Sequence, residues 1–492
     1  MKKHAFAAIA LWTVWFVSTA VHAQPLSTDE PAPAESISNV ELKGKAPVNP
    51  GTLRVKLPKP QETTLSNGLR VALIEDHKLP TFALQFVVLS GGLADPQSKR
   101  GLAMTTAALL SEGTKKRTSR QIAEQLATLG ATFSAGASPS SGESNISVSG
   151  LSENAGAILE LVADVLLNPS FPADELAKYK ARFLSQLEYR RSTPGFLAQE
   201  EFMRVLYGEH PASHVVPPEN ALAAITREDL ASFHLKHYRP NNTLLIVYGD
   251  LTLKELVKQV ERTFGTWQKA EVGSLELPKL TAPEGAQVVL VDRPGSVQTS
   301  LWVGTLGIER RSPDYFAVLL MNHILGGGPA SRLFLNLRED KGYTYGVSSS
   351  FSGSKFPGVM VASTAVRTEV TGPALAEMLA ELERIATEPV SAEELKNAKR
   401  ALIGRFALSL ESPQAQISNV ATRKIYDLPE NYWDTYPQKV DAVTAEDILR
   451  VARKYYARER LQIVAVGDGS SVRSVLEKYG KVESPSSRPS AP

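Results

Sequence analysis

The 492-residue chain contains no cysteine. Disulfides, thiolate metal sites and lipid attachment at a leader cysteine are therefore excluded. Surplus charge of one sign is nearly as scarce, with 54 lysines and arginines against 52 acidic residues. The two extra cations, Lys2 and Lys3, lie in a segment with the features of an export leader. The rest is formally neutral, so no general attraction for nucleic acid or anionic lipid is expected. What is present is ordinary for a soluble globular protein: 43% hydrophobic and 22% charged residues. The length exceeds one ordinary core, so two or more domains are expected.

Lys2 and Lys3, the apolar run 5–21 and the small residues Val21 and Ala23 follow the order of a secretory signal. Cleavage after Ala23 is expected, leaving a periplasmic or secreted protein with no membrane span. An uncleaved anchor is the competing reading, because the run nearly reaches spanning length. Residues 24–52 are rich in Pro, Ser, Glu and Ala, and 483–492 read ESPSSRPSAP, so both are expected to be flexible tethers.

Between the tethers lies an internal repeat. ITREDLASFHLKHYRPNNTLLIVYGDL, from Ile225, recurs as VTAEDILRVARKYYARERLQIVAVGDG, from Val443. Thr226 matches Thr444 and Gly249 matches Gly467, each 218 residues on, while FPADEL at Phe171 recurs as VSAEEL at Val390, 219 on. Each copy reads as mixed α/β. In the first, 69–74, 82–89 and 244–248 have strand character, and 118–129, 155–167 and 173–190 have helical periodicity. In the second, 288–291 and 299–303 read as strands, and 315–325, 372–386 and 392–410 as helices. The expected organisation is two homologous α/β domains, 53–267 and 286–482. They are joined by the linker 268–285, which contains Pro278 and Pro283.

Two segments carry chemistry. The first is the helix-length stretch GLAMTTAALLSEGT, 101–114. Its frame, GLA, five positions and an apolar turn ending in GT, resembles the active-site helix of the pitrilysin/insulinase-type zinc peptidases. In that family the five positions read H-x-x-E-H. Here they are Met104, Thr105, Thr106, Ala107 and Ala108. Met104 and Ala108 stand at the ligand positions and Ala107 at the base position. The family's third ligand, a glutamate on a later helix, falls at Ser185 or Gln186, with Glu188 about a turn away. Zinc needs imidazole, thiolate or carboxylate donors, and a general base beside its water. None stands at these positions, so no cofactor is expected in this chain. The resemblance extends over about 57–480 and, with the repeat, implies a clamshell half built from two α/β domains.

The second segment, SRLFLNLREDKGYTYGVSSSF, begins at Ser331. Ser331 is suited to cap a helix with Leu333, Phe334 and Leu337 on its apolar face, and Gly342 to end it in a left-handed turn. A strand with Tyr343, Tyr345 and Val347 on one side follows. Arg338 then lies at the helix end and Tyr345 at the strand start, close enough to meet. Taken alone, these are a dipole-complementing arginine and a half-buried strand tyrosine. The segment is similar to one in which the family places an Arg and a Tyr, at this spacing, facing the zinc site. There they bind the substrate peptide and help hold the oxyanion, work that suits a permanent cation and a directional phenol. The run Gly326, Gly327, Gly328 lacks the Lys-Ser/Thr of a phosphate loop. The family has a similar glycine-rich turn near its substrate chamber, and a tight turn explains the glycines equally well.

Other histidines offer no alternative metal site. His210 and His214 are separated by Pro211, and His234 and His237 lack a carboxylate at matching spacing, so both pairs read as structural. The resemblance implies a heterodimer with a homologous H-x-x-E-H peptidase subunit that carries the zinc, this chain adding Arg338 and Tyr345 in trans. The alternative is a non-enzymatic peptide-binding or assembly protein of the same fold.

Overall fold

The computed structural model describes Gly51 and residues 54–485. The leader, nearly all of the first tether and the end of the tail lie outside the described residues. The apolar runs form two six-stranded sheets. The first comprises β1 (Gln61–Thr64), β2 (Arg70–Glu75), β3 (Thr81–Val88), β4 (Thr132–Ala137), β5 (Ser144–Leu151) and β6 (Thr243–Gly249) in the order β1-β2-β6-β3-β5-β4. The second comprises β7 (Gln287–Asp292), β8 (Gln298–Leu306), β9 (Thr344–Phe351), β10 (Val359–Arg367), β11 (Gln462–Gly467) and β12 (Val482–Glu483) in the order β12-β7-β11-β8-β10-β9. In both, one central pair is parallel, β2 with β6 and β7 with β11, and the three pairs beyond it are antiparallel. Only the outermost strand beside β2 or β7 differs. β1 enters antiparallel from the N-terminal side, whereas β12 joins parallel from the C-terminal end.

Local chemistry explains the repeat. Thr226 and Thr444 each accept from the backbone N–H three residues on, with Asp229 and Asp447 reaching back to complete capping boxes. The capped helices, Arg227–His237 and Ala445–Tyr455, precede β6 and β11. Gly249 and Gly467 end those strands because there is no room for more. A Cβ at 249 would lie 2.3 Å from the Thr81 carbonyl oxygen, and one at 467 would lie 2.8 Å from the Thr299 hydroxyl.

Both sheets are covered on two sides, which accounts for near-continuous apolar runs such as LLIV in β6. Leu73, Phe86, Val148 and Leu245 pack under helices of their own half, against Ile158, Val162, Leu256 and Phe264. The opposite face, Ala72, Ile74, Val87, Leu244 and Ile246, is covered by Ile417, Val420 and Ala421. These belong to the helix Pro413–Ile425 of the second half. The arrangement is reciprocal. Helix Pro194–Tyr207 of the first half lays Ala198, Phe202 and Leu206 on Val289, Val464 and Val466 of the second sheet. Phe202 stands 5.7 Å from Trp302, ring to ring. Each half thus closes the other's sheet with one helix, and each fully buried large side chain contributes about 1.5–3 kcal/mol.

Residues 268–285 contain no helix or strand. Asn241 holds the start of this segment through both its donor and its acceptor, to the carbonyl (2.8 Å) and N–H (3.2 Å) of Ala270. Leu277 and Leu280 pack against the exchanged helix of the first half and the second sheet.

Candidate functional site

The emptied helix spans Leu102–Ala108, entered through Gly101 at φ 96°. Its free N–H groups need acceptors. Asp95 supplies them, accepting from Gly101 N–H at 2.7 Å and Ala103 N–H at 2.8 Å. Burial pushes the Asp95 carboxyl up to about 7, against the pull of those donors and of Arg100. Sequence reasoning missed Asp95, whose partners are backbone groups with no side-chain motif. Ala107 is buried, Met104 and Ala108 are half-buried, and the Thr105 hydroxyl donates to the Gly101 carbonyl at 2.8 Å. Thr106 is also buried, and its hydroxyl has no hydrogen-bond partner. A thioether, methyl groups and an internally bonded hydroxyl do not fit zinc.

From helix Ala173–Arg191, Tyr179 packs against the core of the first half, and burial pushes its phenol up. Gln186, two turns on, shares the face of Tyr179. Both Ser185 and Gln186 are exposed, while Leu187 between this helix and the next is buried with Phe196 and Val216. Among the described residues no three His, Asp or Glu side chains stand together as a metal-holding group. His234 bonds the Leu166 carbonyl at 2.8 Å and stacks on Tyr238, and His237 bonds the Ser90 hydroxyl at 3.0 Å. Burial is the main cause that pushes both imidazoles down to about 4. They are neutral members of the core.

In the second half, Arg338 and Tyr345 come together. The guanidinium carbon lies 4.9 Å from the centre of the Tyr345 ring and 4.7 Å from that of Phe334. Tyr345 is 89% exposed rather than half-buried, and the Arg338 side chain is 37% exposed. Two irregularities surround the pair. Residues Leu335–Asp340 form a π-helical turn, with Lys341 N–H bonding the Asn336 carbonyl five residues back at 3.0 Å. In β9, Tyr345 and Gly346 together oppose the single Ala365 of β10, a bulge that turns the tyrosine outward. Thr344 secures the bulge, donating to the Ala365 carbonyl at 2.7 Å and accepting from Gly346 N–H at 3.1 Å.

The first half provides an internal comparison. Its corresponding helix, Ser119–Thr128, is α-helical throughout, and β4 pairs with β5 without a break. Both helices are followed by a glycine at φ 61°, Gly130 and Gly342. Their N-termini differ, because Ser331 turns its hydroxyl to the Gly328 carbonyl at 2.6 Å instead of capping the helix. Gly326 and Gly327 are required by packing. A Cβ at 326 would lie 2.2 Å from the Ser349 nitrogen of β9, and one at 327 would lie 2.6 Å from His323 Cα. Gly328 has open space around it.

Residues 70–216 match the family described as Insulinase (Peptidase family M16), and 224–402 match the Peptidase M16 inactive domain. An uncharacterized zinc protease of Bacillus subtilis is 24% identical over 401 residues, 80% of this chain and 95% of its own length. The crystal structure of a peptidase M16 inactive domain from Pseudomonas fluorescens is 30% identical at a TM-score of 0.78, covering 83% of this chain and 98% of that one. The periplasmic protease PqqL from Escherichia coli shares the fold at a TM-score of 0.71 and 18% identity, over 86% of this chain and 47% of that one. With two M16 domains in tandem and none of the zinc-binding side chains in its active-site helix, the chain belongs to peptidase family M16 as a member that has lost its zinc motif.

Proposed function

We propose that this protein is the non-zinc-binding subunit of a two-chain M16 metallopeptidase. It pairs with a homologous H-x-x-E-H subunit and contributes Arg338 and Tyr345 to a shared peptide chamber. The observation that carries the reading is an asymmetry within one molecule. The ligand positions hold Met104 and Ala108, yet Arg338 and Tyr345 are kept together on an exposed site framed by a π-turn and a bulge. A guanidinium and a phenol are donors for a peptide carbonyl and for the oxyanion that forms on it. Buried Ala107 offers no base, so hydrolysis is assigned to the zinc of the partner subunit. Export to the periplasm or beyond fits the leader, and PqqL, of the same fold, is a periplasmic protease. No described helix is long and apolar enough to cross a membrane.

Purification from the native host tests the pairing. The expected outcome is co-elution with a chain carrying H-x-x-E-H, about one zinc per pair and none in this subunit alone, and peptide cleavage only by the pair. Stoichiometric zinc and chelator-sensitive cleavage in the isolated chain would refute it.

A further inference from the structure

The Arg338 guanidinium lies over two aromatic rings, and only one of them belongs to the proposed substrate-binding pair. Phe334, the other, lies one helical turn before Arg338. It is half-buried and rests on the core of the second half. Leu333 and Leu337, buried on the inner side, fix the rotation of this short helix. Phe334 and Arg338 are thereby set side by side on the adjoining strip. The competing partner for Arg338 is its neighbour Glu339. Its Oε1 lies 3.5 Å from Arg338 Nε, longer than a charge-assisted hydrogen bond. The guanidinium therefore sits in an aromatic slot, with its N–H groups not consumed by the nearby carboxylate. In the matching segment of the first half the helix is regular and the strand is not bulged. Both departures occur where this slot is formed.

We infer that Phe334 is a positioning residue. Its ring holds the Arg338 guanidinium against Tyr345, leaving the pairing with Glu339 long, so that the donors face the peptide. Tyr345 is too exposed to locate the arginine by itself, whereas Phe334 is anchored. The π-turn lies on the segment that sets the arginine over the anchored ring, and the bulge lies where Tyr345 comes within reach of the same guanidinium. This inference rests on the proposed role of Arg338 in holding peptide, and its test separates the two.

The full chain, labelled in its arginine side chains, is examined by NMR as wild type and as Phe334→Leu, Phe334→Tyr and Tyr345→Leu. Arg338→Lys identifies the Arg338 signal. Two flanking rings should displace the Arg338 side-chain protons strongly upfield. Phe334→Leu keeps an apolar side chain but removes the ring, and should abolish much of the displacement. Phe334→Tyr should preserve it. Tyr345→Leu, at an exposed position where folding is not at stake, should leave the Phe334 share intact. In the two-chain complex, Phe334→Leu should weaken peptide binding about two- to five-fold, the scale of one exposed cation–π contact, and Phe334→Tyr should restore it. An Arg338 signal unchanged in Phe334→Leu, or already free in Tyr345→Leu, would overturn the inference. A displaced signal lost in Phe334→Leu with peptide binding unaltered would uphold the positioning and instead refute the proposed role of Arg338.

Discussion

Arg332 begins the helix that carries Arg338, and its anchoring is electrostatic. Its buried guanidinium meets Glu394 side-on at 2.8 and 3.1 Å, and Glu394 also completes the capping box of the helix Ala392–Ser409 through Ser391. The hydrogen bond from Arg332 leads the causes that hold the Glu394 carboxyl down, from an ordinary 4.5 to about 2. A depressed carboxylate favours the folded state above its unfolded pKa, and that contribution disappears as pH falls through the folded value. The pair should therefore stabilise the protein fully above about pH 4.5 and progressively less towards pH 2. Glu394→Gln should flatten the fall of Tm across that window while lowering Tm at neutral pH, because Arg332 then stays buried without its counter-charge. Thermal melts of both proteins from pH 2 to 7 check this. Parallel curves would assign the acid sensitivity to other groups.

Among the elements, the exchanged helices have the largest energetic consequence. Phe202 is fully buried, on a helix of the first half, yet its contacts are with the second sheet. Phe202→Ala should cost about 3–5 kcal/mol, transfer and cavity terms together. The loss should appear as one cooperative denaturant transition moved to lower midpoint, since both halves share the contact. A separate early transition of the first half alone would argue against such coupling. Neither exchanged helix was legible in the sequence as a covering element. PGFLAQEEFMRVLY does begin with proline at a helix start, but nothing local says which sheet its apolar stripe will meet. The long apolar strands and periodic helices were legible within a residue or two, except that β8 runs three residues past the expected 303, because burial on both sides or on one stripe leaves a period. β4, TFSAGA, carries small and polar residues at a half-exposed edge, and β5, SNISVSGL, has only Ile146 and Val148 as large apolar residues before Leu151, so both leave little. At the site, only the resemblance of the segment from Ser331 to the family pointed to Arg338 and Tyr345, since taken alone they read as a helix-end cation and a strand tyrosine. The bulge arises from pairing with β10, and neither it nor the π-turn was read from the sequence. Phe334 read simply as apolar face.

For the whole molecule, the linker 268–285 connects two halves that also grip each other through the exchanged helices. Limited proteolysis should nick this segment first, since it contains no helix or strand. The two fragments should nevertheless co-elute under native conditions and separate only in denaturant. Free 53–267 and 286–482 fragments after a native nick would show that the exchange contributes little. The proposed function requires that an M16 chain keeping this architecture without zinc ligands retain the surfaces needed to assemble and hold substrate. Single-turnover peptide cleavage by the reconstituted two-chain complex tests that account most directly, with assembly followed by size exclusion. Tyr345→Phe removes one hydroxyl and should slow cleavage about 10²–10³-fold, the usual cost of a lost oxyanion donor, while assembly is unchanged. Arg338→Ala should slow cleavage and also weaken peptide binding. If both variants assemble and cleave like the wild type, Arg338 and Tyr345 have no part in the reaction, and the composite site is refuted.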